Sequence, residues 1–249
     1  MNQLFLAWQQ SPTSADARQR AWFPIGRLER DSAGYQFVYT GGAQRAADEV
    51  GFRPLVAFPE LRRSYRSEQL FSLFQNRVLN PSRLEYAELL KRLALPADDR
   101  DPIKILAVSG GERQTDNLEV FPRITTTAEG GFSCRFFAHG VRHLRPDFQQ
   151  RIDQLAEGEA LGVTLEATNP VTHVAIQLQT SDYQMVGWAP RYLIEDLIKA
   201  FSASQILKAT VVRINPSPAP VNQRLLVELS GRLTNGVMLM NGPDFQALV

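Results

Sequence analysis

Apolar and polar positions along the chain fall into short blocks with two rhythms. Val163, Leu165 and Ala167, followed by Val174, Ile176 and Leu178, recur at every second residue. That is the spacing of half-buried strands, and Asn169-Pro170 between them is a turn signal. Segments 22–30 and 35–39 also alternate, so with Asp31-Ser32-Ala33-Gly34 between them they predict a hairpin. A short helix is predicted over 43–50, ended by Gly51, and 52–59 is extended because Pro54 and Pro59 bias their predecessors away from helix. Leu70, Phe71, Phe74 and Val78 have helical spacing. A second helix is predicted from Pro81 through Leu93, with Leu84, Leu89, Leu90 and Leu93 as its buried stripe. Residues 103–108 are an apolar run, read as a strand running into Ser109-Gly110-Gly111, and 118–121 is another such run.

The carboxy-terminal half is patterned similarly. Helices are predicted over 148–157 and 191–201, the second with Pro190 ahead of it, where a missing amide donor is harmless, and with Leu193, Leu197 and Ile198 on its apolar face. Residues 209–214 and 224–229 alternate as strands, joined by a 215–220 segment too rich in proline for a central strand. Between the halves, 124–131 carries three threonines and Glu129-Gly130-Gly131, the composition of a junction. The expectation is an α+β protein of two domains, 1–123 and 124–249, the second a small β-barrel with short helices. There is no internal repeat.

Composition narrows the function classes. With 27 Lys and Arg against 26 Asp and Glu, the chain has a net charge of +1, so bulk charge does not draw it to polyanions and any such site must be local. The cations are nearly all arginine; the lysines are Lys91, Lys104, Lys199 and Lys208. One cysteine, Cys134, cannot form an internal disulfide and is expected to be packed beside Phe132 and Phe136. There is no run of about twenty apolar residues, and the start lacks the basic region of a secretory signal. A cytoplasmic location without membrane contact is the expectation.

Two stretches carry family likenesses. Gly140-Val141-Arg142-His143, Asn169-Pro170, Gly187-Trp188 and Pro190-Arg191-Tyr192-Leu193, in that order, resemble the HIRAN domain over about 132–232. The resemblance implies an OB- or SH3-like barrel that grips the three-prime end of single-stranded DNA. It further implies roles for Arg142 and His143 on a strand, for Asn169 in a turn, and for Arg135, Arg145 and Tyr192 along the same track. Cations would hold phosphate and rings would stack on bases. Val171 and Thr172 stand where the family has an aromatic residue and an aspartate, and Val174 where it often has asparagine. Segment 21–122, with Gly26-Arg27-Leu28, Phe37-Val38-Tyr39, Pro54-Leu55, Phe58-Pro59 and Leu70-Phe71-x-x-Phe74-x-Asn76-Arg77, resembles the amino-terminal subdomain of HipA-type kinases. No kinase catalytic loop follows it, so phosphoryl transfer is disfavoured.

The remaining chemistry is thin. Arg62-Arg63-Ser64-Tyr65-Arg66 is the densest basic cluster, equally a phosphate or partner contact and a solvated loop. Trp188 reads as a core cap. His139 and His143 are four apart but in strand-like sequence, too far apart to chelate without a third ligand, so no metal is expected. Ser109-Gly110-Gly111 lacks the continuation of a phosphate loop, and no Gly-x-Ser-x-Gly marks a hydrolase. The sequence therefore points to a non-enzymatic protein without cofactor that binds single-stranded or damaged DNA. The alternative is an interaction regulator that meets a protein partner, such as a separately encoded HipA-type kinase, through its first domain.

Overall fold

The computed structural model describes residues 2–11, 21–170, 172–234 and 236–249. Helices and antiparallel strands are mixed in an α+β arrangement of two compact units. One unit comprises Met1–Tyr86, Arg100–Arg123 and Met240–Val249, and the other Ala87–Asp99 and Ile124–Leu239. The chain passes into the second unit again at Ile124. It returns at Met240, a crossing that no composition change marks.

In the first unit, β1 (Gln3–Gln9), β2 (Trp22–Asp31), β3 (Gly34–Tyr39), α1 (Gly41–Val50), β4 (Tyr65–Ser67) and α2 (Ser72–Gln75) follow one another. Then come α3 (Tyr86–Arg92), most of which belongs to the second unit, α4 (Pro102–Ser109) and β5 (Leu118–Pro122). The sheet order is β4-β3-β2-β1-β5. The hairpin turn at 31–34 is held by Asp31, which accepts the Ala33 amide at 2.7 Å. Helix α1 ends on Gly51, whose φ of 72° is the left-handed conformation that glycine adopts without a Cβ penalty. Strand β1 has Leu4, Phe5, Leu6 and Ala7 all buried, so it shows no alternation to read.

Three expectations fail here, each for a local reason. Residues 68–78 give only the single turn α2, since Phe71 is extended and packs edge-on to Phe58 with centroids 5.1 Å apart. The helix expected from Pro81 starts at Tyr86, because Asn80 accepts both the amide and the hydroxyl of Ser82 at 2.9 Å and holds a turn there. Leu84, expected in the buried stripe, is 96% exposed. Residues 103–108 are helix rather than strand: Asp101 caps them by accepting the Ile103 amide at 2.9 Å, Pro102 occupies the first turn, and Gly110 closes the end at φ 71°.

The core of this unit gathers on Phe37, which stacks on Phe58 at 4.0 Å. The buried Tyr39 hydroxyl donates to the Phe58 carbonyl and accepts the Leu55 amide, both at 2.7 Å, which ties the extended 52–58 segment to β3. Burial raises the pKa of this phenol well above its ordinary value.

The second unit contains β6 (Gly131–Phe137), α5 (Pro146–Asp153), β7 (Ala160–Asn169), β8 (His173–Gln179), β9 (Met185–Trp188), α6 (Ile194–Ala203), β10 (Ser204–Ile214) and β11 (Leu225–Leu233). Its sheet has the order β6-β11-β10-β7-β8-β9. Among the described residues no ladder joins the outer strands, β6 and β9, so the expected closed barrel is not found there. The chain just past β6 meets β9 at an isolated bridge, His139 with Trp188, and β7 pairs with β10 at Leu161 and Ala160. Helix α3 is tied to this unit by buried Asn215, whose amide donates to the carbonyls of Arg92 and Gln223 at 3.1 and 2.7 Å.

Two outcomes follow from these contacts. Asp101 caps α4 and forms a paired ion contact with Arg30 at 2.8 Å on both oxygens. Burial pushes this carboxyl up, but the Arg30 and Ile103 hydrogen bonds outweigh it and hold the group below the usual range. A depressed folded-state pKa stabilises above the unfolded value and is lost as pH falls through the folded one. Asp101→Ala should therefore destabilise the first unit by roughly 2 kcal/mol at neutral pH, and the deficit should shrink under acid, as thermal melts across pH will show. Cys134 is buried, and desolvation, with Glu228 nearby, pushes its thiol up to about 12. Iodoacetamide at neutral pH should leave the native thiol unmodified and label it on denaturation, read by mass spectrometry.

Candidate nucleic-acid interface

The Gly140–His143 stretch is not a strand. Gly140 adopts φ 73° and diverts the chain from the direction of β6 into a single 3-10 turn, Val141–His143. A methyl group at Gly140 would lie 2.5 Å from the Trp188 ring, so the indole rests directly on a backbone that only glycine can supply. The His139 amide donates to the Trp188 carbonyl at 2.8 Å and the Trp188 amide returns to the His139 carbonyl at 3.0 Å. Trp188 is half-buried, and its Nε1 donates to Glu166 at 2.8 Å.

Glu166 also accepts the Asn169 amide at 3.0 Å, and the Asn169 oxygen accepts both the backbone amide and the hydroxyl of Thr172 at 3.0 Å. The indole thus joins the Gly140 turn to the β7–β8 turn through one carboxylate. Asn169, expected to face the ligand, is engaged in building its own turn. Val171, discussed with it, lies outside the described residues. Tyr192 sits in a 3-10 turn, Arg191–Leu193, and meets His139 edge to face with centroids 6.1 Å apart.

The expected arginine track is only partly formed. Arg135 on β6 stands directly opposite Glu228 on β11, and the two close an ion pair of 2.7 Å, the usual outcome for opposite charges across a ladder. Arg145 forks onto Asp147 two residues along, at 3.1 and 2.5 Å. That contact raises the arginine's pKa and lowers the aspartate's. Arg142 differs. It is exposed, and its Nε donates to His143 Nε2 at 3.0 Å. Among the described residues it forms no ion pair.

The basic cluster of the first unit is similarly occupied. Arg63 pairs with Glu60 at 2.7 Å and lies over the Tyr65 ring at 5.4 Å, while the Tyr65 hydroxyl accepts the Glu60 amide at 2.7 Å. Arg66 donates to Gln36 at 3.0 Å and stands 3.8 Å from Asp31. Arg62 is exposed. No group of three or more His, Cys, Asp or Glu residues among the described ones could hold a metal ion, and no helix there is long and apolar enough to cross a membrane.

Sequence reasoning did not single out Glu166 on this face, and it took Trp188 for a core cap. The alternation of β7 did place Glu166 opposite in facing to Val163 and Leu165, but only the β8–β9 register brings the indole within its reach. Gly140→Ala tests the arrangement. It combines left-handed strain with overpacking against the ring, and should destabilise the second unit by roughly 2–4 kcal/mol, measured by denaturant titration of tryptophan fluorescence.

No family model and no curated protein matches the chain. Among solved structures, a crystal structure of a Lactobacillus plantarum protein from a structural genomics consortium is 20% identical, covering 42% of this chain and 99% of its own at a TM-score of 0.32. A likeness at that score carries no argument about fold or function.

Proposed function

We propose that the chain is a non-enzymatic binding protein that holds single-stranded DNA on the face built around Arg142, His143, Trp188 and Tyr192. The observation that carries this reading is the state of Arg142. Its Nε is fixed by His143, both terminal nitrogens are left for a phosphate, and no carboxylate in the described structure neutralises it. A guanidinium held in that way loses little freedom on binding and suits a bidentate phosphate contact. The exposed His143 ring and the half-buried Tyr192 ring supply flat surfaces for bases. The HIRAN likeness of the same residues supports the choice of ligand.

The same geometry argues for a grip on the strand rather than on its end. The Thr172 hydroxyl donates to Asn169 and the Asn169 side-chain amide donates to Glu166, so the polar groups that would read a terminal hydroxyl are engaged with one another. Pairing of Arg135 and Arg145 with carboxylates favours a second reading, a regulator that meets a protein partner.

Fluorescence anisotropy with a labelled oligothymidylate separates the two. Binding is expected at low salt and should weaken as salt rises. Arg142→Ala should reduce affinity about tenfold and lower the salt slope by about one phosphate contact. Oligonucleotides with free and blocked three-prime ends should bind alike. Absence of binding at low salt, or affinity indifferent to Arg142, would remove the DNA reading, and co-purification of a stoichiometric protein from the native host would establish the second.

A further inference from the structure

Asparagine is a labile residue in water, because its side-chain carbonyl carbon can be attacked by the backbone nitrogen of the residue that follows. At many positions this chain denies that attack. The nitrogen after Asn80, Asn169 and Asn215 belongs to a proline, which has no N–H to give up. The nitrogen after Asn76 donates to the Phe74 carbonyl at 3.0 Å, the one after Asn117 to the Asp116 carboxylate at 3.1 Å, and the one after Asn222 to the Pro220 carbonyl at 2.8 Å. Asn241 is different. It is exposed, lies outside any helix or strand, and is followed by Gly242. Among the described residues neither its side-chain amide nor the Gly242 amide takes part in a hydrogen bond.

Two further features of the place favour attack. A Cβ built on Gly242 would meet nothing within 4 Å, so there is open space beside the nitrogen for a ring to close. The Gln246 side-chain amide donates to the Asn241 carbonyl at 3.0 Å. That carbonyl and the Gly242 N–H belong to one peptide group, so the contact draws electron density from the nitrogen and makes its proton easier to lose. The pair also stands at the head of the carboxy-terminal segment. The Gly242 carbonyl accepts the Phe245 amide at 3.0 Å, closing the 3-10 turn Pro243–Phe245, and Phe245 is buried against Phe5.

We propose that Asn241 deamidates in the native chain and that the change loosens the segment it precedes. Solvent base takes the Gly242 amide proton, and the nitrogen lone pair attacks Cγ of Asn241. The N–Cγ bond forms, the Cγ–Nδ2 bond breaks, and ammonia leaves with a proton returned by water, giving a cyclic succinimide. Water, the only co-reactant, then opens the ring. Cleavage at the side-chain carbonyl yields aspartate; cleavage at the backbone carbonyl yields isoaspartate, in which the chain runs through Cβ and gains one methylene. Either product adds a carboxylate, so the net charge of +1 becomes zero. The isoaspartyl form also turns the carbonyl that Gln246 holds into a carboxylate off the main chain, and it lengthens the link into the Pro243–Phe245 turn. The inference is independent of the DNA reading, whose residues lie in the other unit.

Ageing the full chain under native, mildly alkaline conditions in heavy-oxygen water tests it, with residues 233–249 sequenced by tandem mass spectrometry to separate Asn241 from Asn235. Heavy oxygen should enter at 241, with isoaspartate formed beside aspartate, at a rate close to that of the chain unfolded in denaturant. Gly242→Ala, which the open space accommodates, and Asn241→Gln, whose longer side chain must close a larger ring, should each suppress the label. The Gly41 amide, which donates to Gln246, and the Leu248 amide, which donates to Tyr39, should exchange faster in the isoaspartyl fraction than in fresh chain. Asn241→Asp, which adds the charge without the methylene, should leave both protected. Label confined to the unfolded chain, label that persists in Gly242→Ala, or modification at Asn235 with none at Asn241 would each overturn the deamidation. Unchanged exchange at Gly41 and Leu248 in the isoaspartyl fraction would overturn the loosening.

Discussion

The candidate face depends on two backbone hydrogen bonds, exchanged between His139 and Trp188. They draw the chain beyond β6 toward β9 and are the contact by which the outer margins of the six-stranded sheet meet. They exist because Gly140 turns the chain with a positive φ and has no side chain to push the indole away. The indole in turn reaches Glu166, and Glu166 reaches Asn169, so one glycine determines where three otherwise separate segments come together. A bulkier residue would open the margin, and the carboxylate would lose the donor that orients it.

Charge is used locally throughout the chain. In the first unit Arg30 joins β2 to the start of α4, Arg45 joins α1 to Asp244, and Arg77, whose side chain is 1% exposed, joins the segment after α2 to Asp116 and to the Gly111 carbonyl. These arginines act as ties between segments distant in sequence. Their planar, multi-donor heads suit that work better than a lysine's point charge. In the second unit Arg135, Arg151, Arg213 and Arg224 are similarly paired. Arg142 differs from these ties in that its Nε is held by the neighbouring His143 rather than by a carboxylate.

Much of the fold could be read from sequence wherever a punctuating residue fixed the backbone. The Asp31–Gly34 turn, the Gly51 stop and the alternation of β7 and β8 all rest on local rules that tertiary contacts had no reason to override. Misreadings arose where apolar spacing stood alone. Leu70, Phe71 and Phe74 pack on the Phe58 cluster from a single turn as readily as from a long helix, and β1, covered on both faces, has no period at all. The 103–108 run was decidable in principle, since Asp101-Pro102 and Gly110 bracket it as helix caps. At the candidate site, Gly140, Arg142 and Trp188 were visible as residue types, but their partners were not. Whether an arginine is free depends on what a neighbouring strand places opposite it, and Glu228 is 93 residues from Arg135.

The last ten residues carry a different implication. Leu248 donates to the Tyr39 carbonyl, the Gly41 amide donates to Gln246, Ala247 bridges Thr40, and the Phe245 ring lies edge-on to Phe5 at 4.9 Å. The earliest strand of the first unit therefore waits for a segment synthesised more than two hundred residues later, with the whole second unit emerging in between. During translation the inserted unit can mature while its host is still missing a wall, which makes nascent chains stalled before residue 240 the species most in need of a chaperone.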